Sequence, residues 1–378
     1  MEVAQHCLTS PAAMATELQN LKSINPNFLL AFGSETLLKA AADPLQAAFP
    51  DAVRVGCTTA GEISNQGVAD NSCVITAVRF DKSTLRESST RLAGMADSFA
   101  AGQRLGQQLP RDGLRAVLVL GQGVSINGSE LIAGLVSVVG AEVPITGGLA
   151  GDAAAFKESW VLNAQGVNND QLVCVGLYGN QLSYGHGSFG GWQPFGPARK
   201  VTRSEQNVLY ELDGEPALEV YKRYLGDHAK GLPASGLLFP FAMLGSDHTE
   251  VGLIRTILGI DEATGSMTLA GDIESAGYLR LMHASTDALV DGAEAAAQAA
   301  QKMLASQGAS LAILVSCVGR KLVMGGRVDE EVEAVGDVFG QKAVLTGFYS
   351  NGEISPFTGN AVCKLHNQTM TITHIAEM

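Results

Sequence analysis

A nine-residue signature occurs twice in this chain, as Gly56-Cys-Thr-Thr-Ala-Gly-Glu-Ile-Ser64 and as Gly347-Phe-Tyr-Ser-Asn-Gly-Glu-Ile-Ser355. Both fit G-x-x-[TS]-x-G-E-I-S, and a shorter glycine-rich turn, Gly147-Gly-Leu-Ala-Gly-Asp152, stands at the matching place in a further stretch. Each turn closes the same pattern. Asn27–Phe32 and Ala52–Gly56 read as strands flanking the helical stretch Ser34–Phe49, which Pro44 must interrupt or restart. Leu114–Leu120 and Val143–Thr146 flank a helix over Ser129–Val139, with Ser129 as its cap. Ser310–Cys317 and Ala343–Thr346 flank Val328–Phe339, whose acidic start suits a helix N-terminus. Further strand patterns follow the turns at Asn71–Phe80, Gln171–Tyr178, and Ala361–Leu365 with Met370–His374.

The units therefore build sheets with helices packed on them. Several strands lie close enough in sequence for hairpins, so the expected class is mixed α/β (α+β) rather than a purely parallel sheet. At 378 residues the chain exceeds the size of a single growing core, so two domains of repeated strand-helix-strand units are expected, over 1–195 and 196–378. The polar, glycine-rich stretch Ser183–Arg203 marks the boundary region. Beyond it, Glu215–Leu225 reads as a helix with Pro216 in its first turn, and Leu289–Ser306 as an alanine-rich helix capped among Ser285, Thr286 and Asp287.

A formal charge of −13 sets nucleic acid and anionic membrane surfaces aside as partners. The six cysteines never form C-x-x-C, which argues against a zinc knuckle or dithiol site and for reduced, buried thiols. With no signal-peptide pattern and no stretch near the ~20 apolar residues of a membrane span, a cytoplasmic protein is expected. The 44 glycines, without a collagen period, point to tight strand-to-helix turns or to backbone brought close to a ligand.

Glu62 and Glu353 sit just past strand ends in turns where glycine lets backbone amides face a bound group. Each either caps its own turn or contributes to a cavity shared between the two domains, where paired carboxylates would hold an amino group or serve acid–base chemistry. Arg320, after the third strand-helix-strand unit's first strand, reads either as an anion-recognising group or as a surface ion pair. His186, in Tyr184-Gly-His-Gly-Ser-Phe-Gly-Gly-Trp192, has the access to bind a metal or haem iron, with Phe189, Trp192 and Phe195 as apolar walls. His366 lies between strand-like runs and is the second imidazole considered. No phosphate loop, H-E-x-x-H or G-x-S-x-G pattern is present.

Together the glycine turns, Trp192-Gln-Pro-Phe-Gly-Pro197 with Val201-Thr-Arg203, Leu209-Tyr-Glu-Leu-Asp-Gly214 and Leu365-His-Asn-Gln-Thr369 resemble the bacterial FIST family over nearly the whole chain. The resemblance implies a sensory module that binds a small ligand, such as an amino acid, and signals to a separate protein such as a histidine kinase or a cyclic-di-nucleotide enzyme. One branch it resembles carries haem and senses nitric oxide; there His186 would be the axial ligand. The candidate ligand-binding set is Cys57, Thr58, Gly61, Glu62, Arg320, Tyr349, Ser350, Gly352, Glu353 and His366. The alternative is an enzyme acting on a small substrate through Glu62, Glu353 or Cys57.

Overall fold

The computed structural model describes residues 1–275, 277–304, 308–357 and 362–378, apart from the side chain of residue 250. Its architecture is mixed α/β, with sheets covered by helices. Each strand-helix-strand unit contributes four strands to a sheet of six. In unit one, Phe28–Gly33 and Val53–Thr58 pair in parallel across helix Glu35–Ala48, and the return strand Cys73–Arg79 and edge strand Glu2–Leu8 run antiparallel beside them. Unit two repeats this with Leu114–Gly121, Ile145–Leu149, Gln171–Tyr178 and Thr84–Arg91. Unit three uses Ser310–Cys317, Ala343–Ser350, Met370–Glu377 and Leu182–Phe189.

The last two strands of every sheet come from a different unit. The hairpin Glu62–Ser64/Gly67–Ala69 after unit one's turn joins the third sheet, on Ala343–Ser350. Unit two's hairpin, Val161–Asn163/Gly166–Asn168, joins the first sheet on Val53–Thr58. Unit three's, Gly352–Pro356/Cys363–His366, joins the second on Ile145–Leu149. The exchange closes a ring of three. The inner faces of all three sheets meet in one core, with Phe32 and Phe348 at a 4.8 Å centroid separation, while each outer face is covered by its own helices.

Glycine at the same place in each unit permits this packing. Gly56, Gly147 and Gly347 stand opposite Ala31, Val119 and Leu314 in the parallel pairs, and a Cβ on any of them would run into that residue's carbonyl oxygen. The stretch expected as a boundary linker is in part the edge strand Leu182–Phe189. Its Gly185 and Gly187 press against the carbonyls of Ala300 and Ala296 in helix Thr286–Met303, so the glycine repeat and the alanine-rich helix are two sides of one close contact. Between Gln193 and His283 the chain forms a further antiparallel sheet of nine strands with helix Ala217–Leu225 and a separate core. Sequence periodicity gave no warning of this sheet.

Local signals held with two adjustments. Helix Glu35–Ala48 continues through Pro44, because Leu37, Leu38, Ala41 and Leu45 bury one continuous stripe on both sides of it. Asn127 rather than Ser129 caps helix Gly128–Val139, its Oδ1 accepting from the N–H groups of Ser129 and Glu130. Ser285 does cap the alanine-rich helix, accepting from Ala288 N–H. The expected end of that helix at Ser306 and the expected strand start at Ala361 lie outside the described residues.

Candidate functional site

The three turns meet where the units' second strands end. Gly151 N–H donates to Thr58 O at 2.9 Å, Ala153 N–H to Thr59 O at 3.0 Å, Tyr349 N–H to Gly61 O at 2.8 Å, and Asn351 N–H to Leu149 O at 3.0 Å. Beside unit one's turn this junction opens a recess of about 650 Å³, lined among others by Ser34, Thr58, Glu62, Asp70, Asp152 and Lys321. All three units contribute to it.

Helix Val318–Met324 presents Val318, Lys321 and Leu322 to the recess, a spacing of three and four that puts them on one face. The Lys321 ammonium donates to Ala60 O at 2.8 Å and pairs with the Asp70 carboxylate at the mouth. Glu62 is buried in the wall. It accepts from Thr59 Oγ1, Ser72 N–H (3.0 Å) and Ser72 Oγ (2.8 Å), yet burial, with the Asp70 charge adding to it, holds its carboxyl above the usual range. On the far side, Asp152 accepts the N–H groups of Phe156, Lys157 and Glu158 at 2.6–3.1 Å. That clamp holds Ala153, Ala154 and Phe156 at φ of 55°, 64° and 52°, a strained run of non-glycine residues beside the recess. With Glu35 and Glu158 also lining it, acidic groups outnumber Lys321.

Of the expected ligand set, Thr58, Gly61 and Glu62 line this recess, and the others are placed differently. Thr58 Oγ1 donates to Gly151 O and accepts from Trp160 N–H, joining units one and two. Gly61, at φ 141°, leaves the space that Lys321 fills. Cys57 faces the central core with no exposed surface, and burial pushes its thiol well above its ordinary range. Arg320 is neither a ligand group nor a surface pair. It is fully buried, bonded to Glu331 at 2.7 Å and to the carbonyls of Gly190 and Leu289, because it leaves its helix about 100° around from Lys321, toward the protein interior. Tyr349 donates to the same Glu331 at 2.6 Å and is equally buried.

Glu353 repeats the arrangement of Glu62 inside the protein. Ser350 Oγ, Thr369 N–H and Thr369 Oγ1 donate to it, and burial raises its carboxyl to about 8. It does not share Glu62's recess; Ser350 and Gly352 are buried with it. Thus Glu353 has the capping role alone, while Glu62 caps its turn and also reaches the cavity.

His186 lies in another recess, of about 420 Å³, with Arg115, Glu142 and Tyr184. Burial lowers its basicity, and its Nδ1 has no partner among the described residues. The three aromatic residues expected around it are elsewhere. Phe189 and Trp192 line a recess with His366, and Phe195 packs on Phe239 and His283. Residue 189 points to the opposite sheet face from 186, so Phe189 does not wall the His186 recess, whose apolar lining comes instead from Leu114, Val143, Leu182 and Met303. His366 is lowered to about 4 by burial, with Nε2 held 2.9 Å from Ser355 O.

The sequence reading passed over Lys321 in favour of Arg320, and missed Asp70 and Asp152. Helical spacing from Val318 carried the signal for Lys321, but choosing the face required the sheet beneath it.

Family models match along the chain: the FIST N domain over residues 27–215 and the FIST C domain over residues 217–356. The chain belongs to the FIST family. FIST domains are sensory domains of signal transduction that bind small ligands. The FIST chain is 35% identical over 102 residues to an uncharacterized protein of Methanocaldococcus jannaschii, covering 25% of this chain and 19% of that one. The match thus spans about a fifth of that relative's length. A cyanuric acid hydrolase from A. caulinodans aligns over 99% of both chains at a TM-score of 0.37 and 9% identity. Among the described residues no helix is long and apolar enough to cross a membrane.

Proposed function

We propose that this FIST chain is a cytoplasmic sensor that binds a small zwitterion of the amino-acid class in the recess beside unit one's turn. It would report the bound state to a separate signalling protein such as a histidine kinase. One observation carries the reading: Lys321 stands at the mouth of an otherwise acidic recess built by all three units, paired with an Asp70 side chain that is 63% exposed. A ligand carboxylate replaces Asp70 on Lys321, and the ligand's ammonium group meets the acidic wall. The placement of Cys57 in the core and of Glu353 inside its own turn supports binding over catalysis through those groups.

Calorimetric titration of the purified protein with a panel of amino acids tests this. At least one zwitterion binds, and Lys321→Met weakens it about tenfold or more, as expected for loss of a partly buried charge partner. A panel without any binder, or a binder indifferent to Lys321→Met, defeats the reading. Haem titration is a separate arm, and a Soret band abolished by His186→Ala would move the ligand to the His186 recess.

A further inference from the structure

The ring of three units makes the recess beside Glu62 one of a related set, and its counterpart at the junction of units two and three is chemically inverted. Lys321 lies seven residues beyond Leu314, the residue facing unit three's invariantly placed Gly347; the residue seven beyond Val119, which faces Gly147, is Ile126. Asp70 stands two residues before Ser72, which caps Glu62; the residue two before Thr369, which caps Glu353, is Asn367. The Lys321–Asp70 pair is therefore replaced by Ile126 and Asn367, and both line a recess of about 200 Å³.

Apolar groups make most of this recess: Ile126, Leu149 and Leu365 from the units, Leu269 from the nine-stranded sheet, and Phe156 and Leu258 at its rim. Four carboxamides interrupt them, of which Asn127 caps its helix and Asn207 donates to Leu269 O, leaving Asn367 and Asn351. Asn367, 1% exposed, donates through Nδ2 to His366 O at 2.9 Å, and Asn351 donates through Nδ2 to Gly123 O at 3.3 Å. Those bonds fix which end of each amide is nitrogen. The Oδ1 of each then has no donor among the described residues, although both asparagines line the recess. A buried acceptor without a donor leaves its lost hydration uncompensated, so a pair of them at the wall of an apolar recess calls for a group that supplies N–H or O–H.

We infer that this recess is a second ligand site, for a small, neutral, planar molecule carrying one or two N–H or O–H donors, the indole and phenol class. The volume lies below the roughly 300 Å³ at which drug-sized pockets begin, which limits the ligand to one or two rings. The walls favour an aromatic body, and the carboxamide oxygens select for a donor on its edge. Among the described residues no charged side chain lines the recess, which disfavours zwitterions of the kind proposed for the first recess. The proposal does not depend on the reading of that first recess.

Ligand-observed NMR titration with indole and 1-methylindole tests it on the unaltered protein. Indole binds, and 1-methylindole, the same aromatic body without its donor, binds at least about fivefold more weakly. Asn367→Leu narrows that preference below twofold, while Lys321→Met leaves indole binding unchanged; a melting temperature close to the parent's confirms that each variant is folded. Absence of indole binding, equal binding of the two probes, or a preference untouched by Asn367→Leu in folded protein overturns the inference.

Discussion

The side chains of Arg320 and Lys321 leave one short helix about 100° apart, and their surroundings decide their roles. Arg320 is held in a dry network with Glu331 and Tyr349, so Arg320→Met strands a buried carboxylate. Urea unfolding is expected to show a loss of about 3–5 kcal/mol for that variant, whereas Lys321→Met, at the edge of the recess, costs within about 1 kcal/mol. Glu353 makes stability depend on pH. Its folded value of about 8 exceeds the unfolded one of roughly 4.3, so folding retains a proton at neutral pH. That contribution is complete below the unfolded value and is lost as pH rises through about 8. His366 and His374, lowered to about 4, act in the other direction and only below roughly 6.5. Between pH 6.5 and 8 Glu62, Glu87 and the N-terminal amine, also raised, act in the same direction, and substitution of Glu353 separates its share. Stability is expected to fall across that window, and the fall to be smaller in Glu353→Gln; parallel urea midpoints for the two proteins would contradict this.

Among the elements, the parallel strand pairs depend most narrowly on residue type. Alanine at Gly56, Gly147 or Gly347 places a methyl against the carbonyl of the facing strand residue, and the clash is with backbone rather than a side chain that can turn away. Each of these three variants is expected to lose soluble, cooperatively melting protein. Gly326→Ala is the contrast, since a Cβ there meets nothing within 4 Å, and it should be neutral or stabilising by about 0.4–1 kcal/mol. Melting curves for the four variants make the comparison. The repeated signature thus reports packing first: its leading glycine admits the neighbouring strand, and its glutamate, with Thr59 or Ser350 three residues earlier, closes the turn.

At the scale of the molecule, the cyclic exchange of hairpins makes the three sheets interdependent, whereas the nine-stranded sheet is inserted at one place and rests on them through bonds such as Arg255 to Leu365 O and Gln368 to Leu237 O. Gln193 and His283 are paired where the chain enters and leaves the insertion, at the roughly 4.5–5.5 Å separation of facing antiparallel residues. Replacing residues 193–283 by a short glycine-serine link should leave a cooperatively folded body of three sheets, because that body keeps its four hydrophobic clusters. Circular dichroism and thermal melting of the shortened chain check this, and failure to fold would show that the inserted sheet is required by the ring.

By itself the sequence determined the strand-helix-strand unit, its recurrence, most helix limits and the turns on which the candidate site is built, because those depend on local periodicity, caps and glycine. It also placed Glu62 at the site. It did not determine that each hairpin leaves its own unit, since pairing partners such as Ile63 and Gly347 lie hundreds of residues apart and either sheet satisfies the same alternating pattern. For the same reason the equivalent glutamates could not be told apart. Both carry the same turn residues, and only the tertiary structure puts Lys321 and an open recess beside Glu62 while enclosing Glu353 in protein.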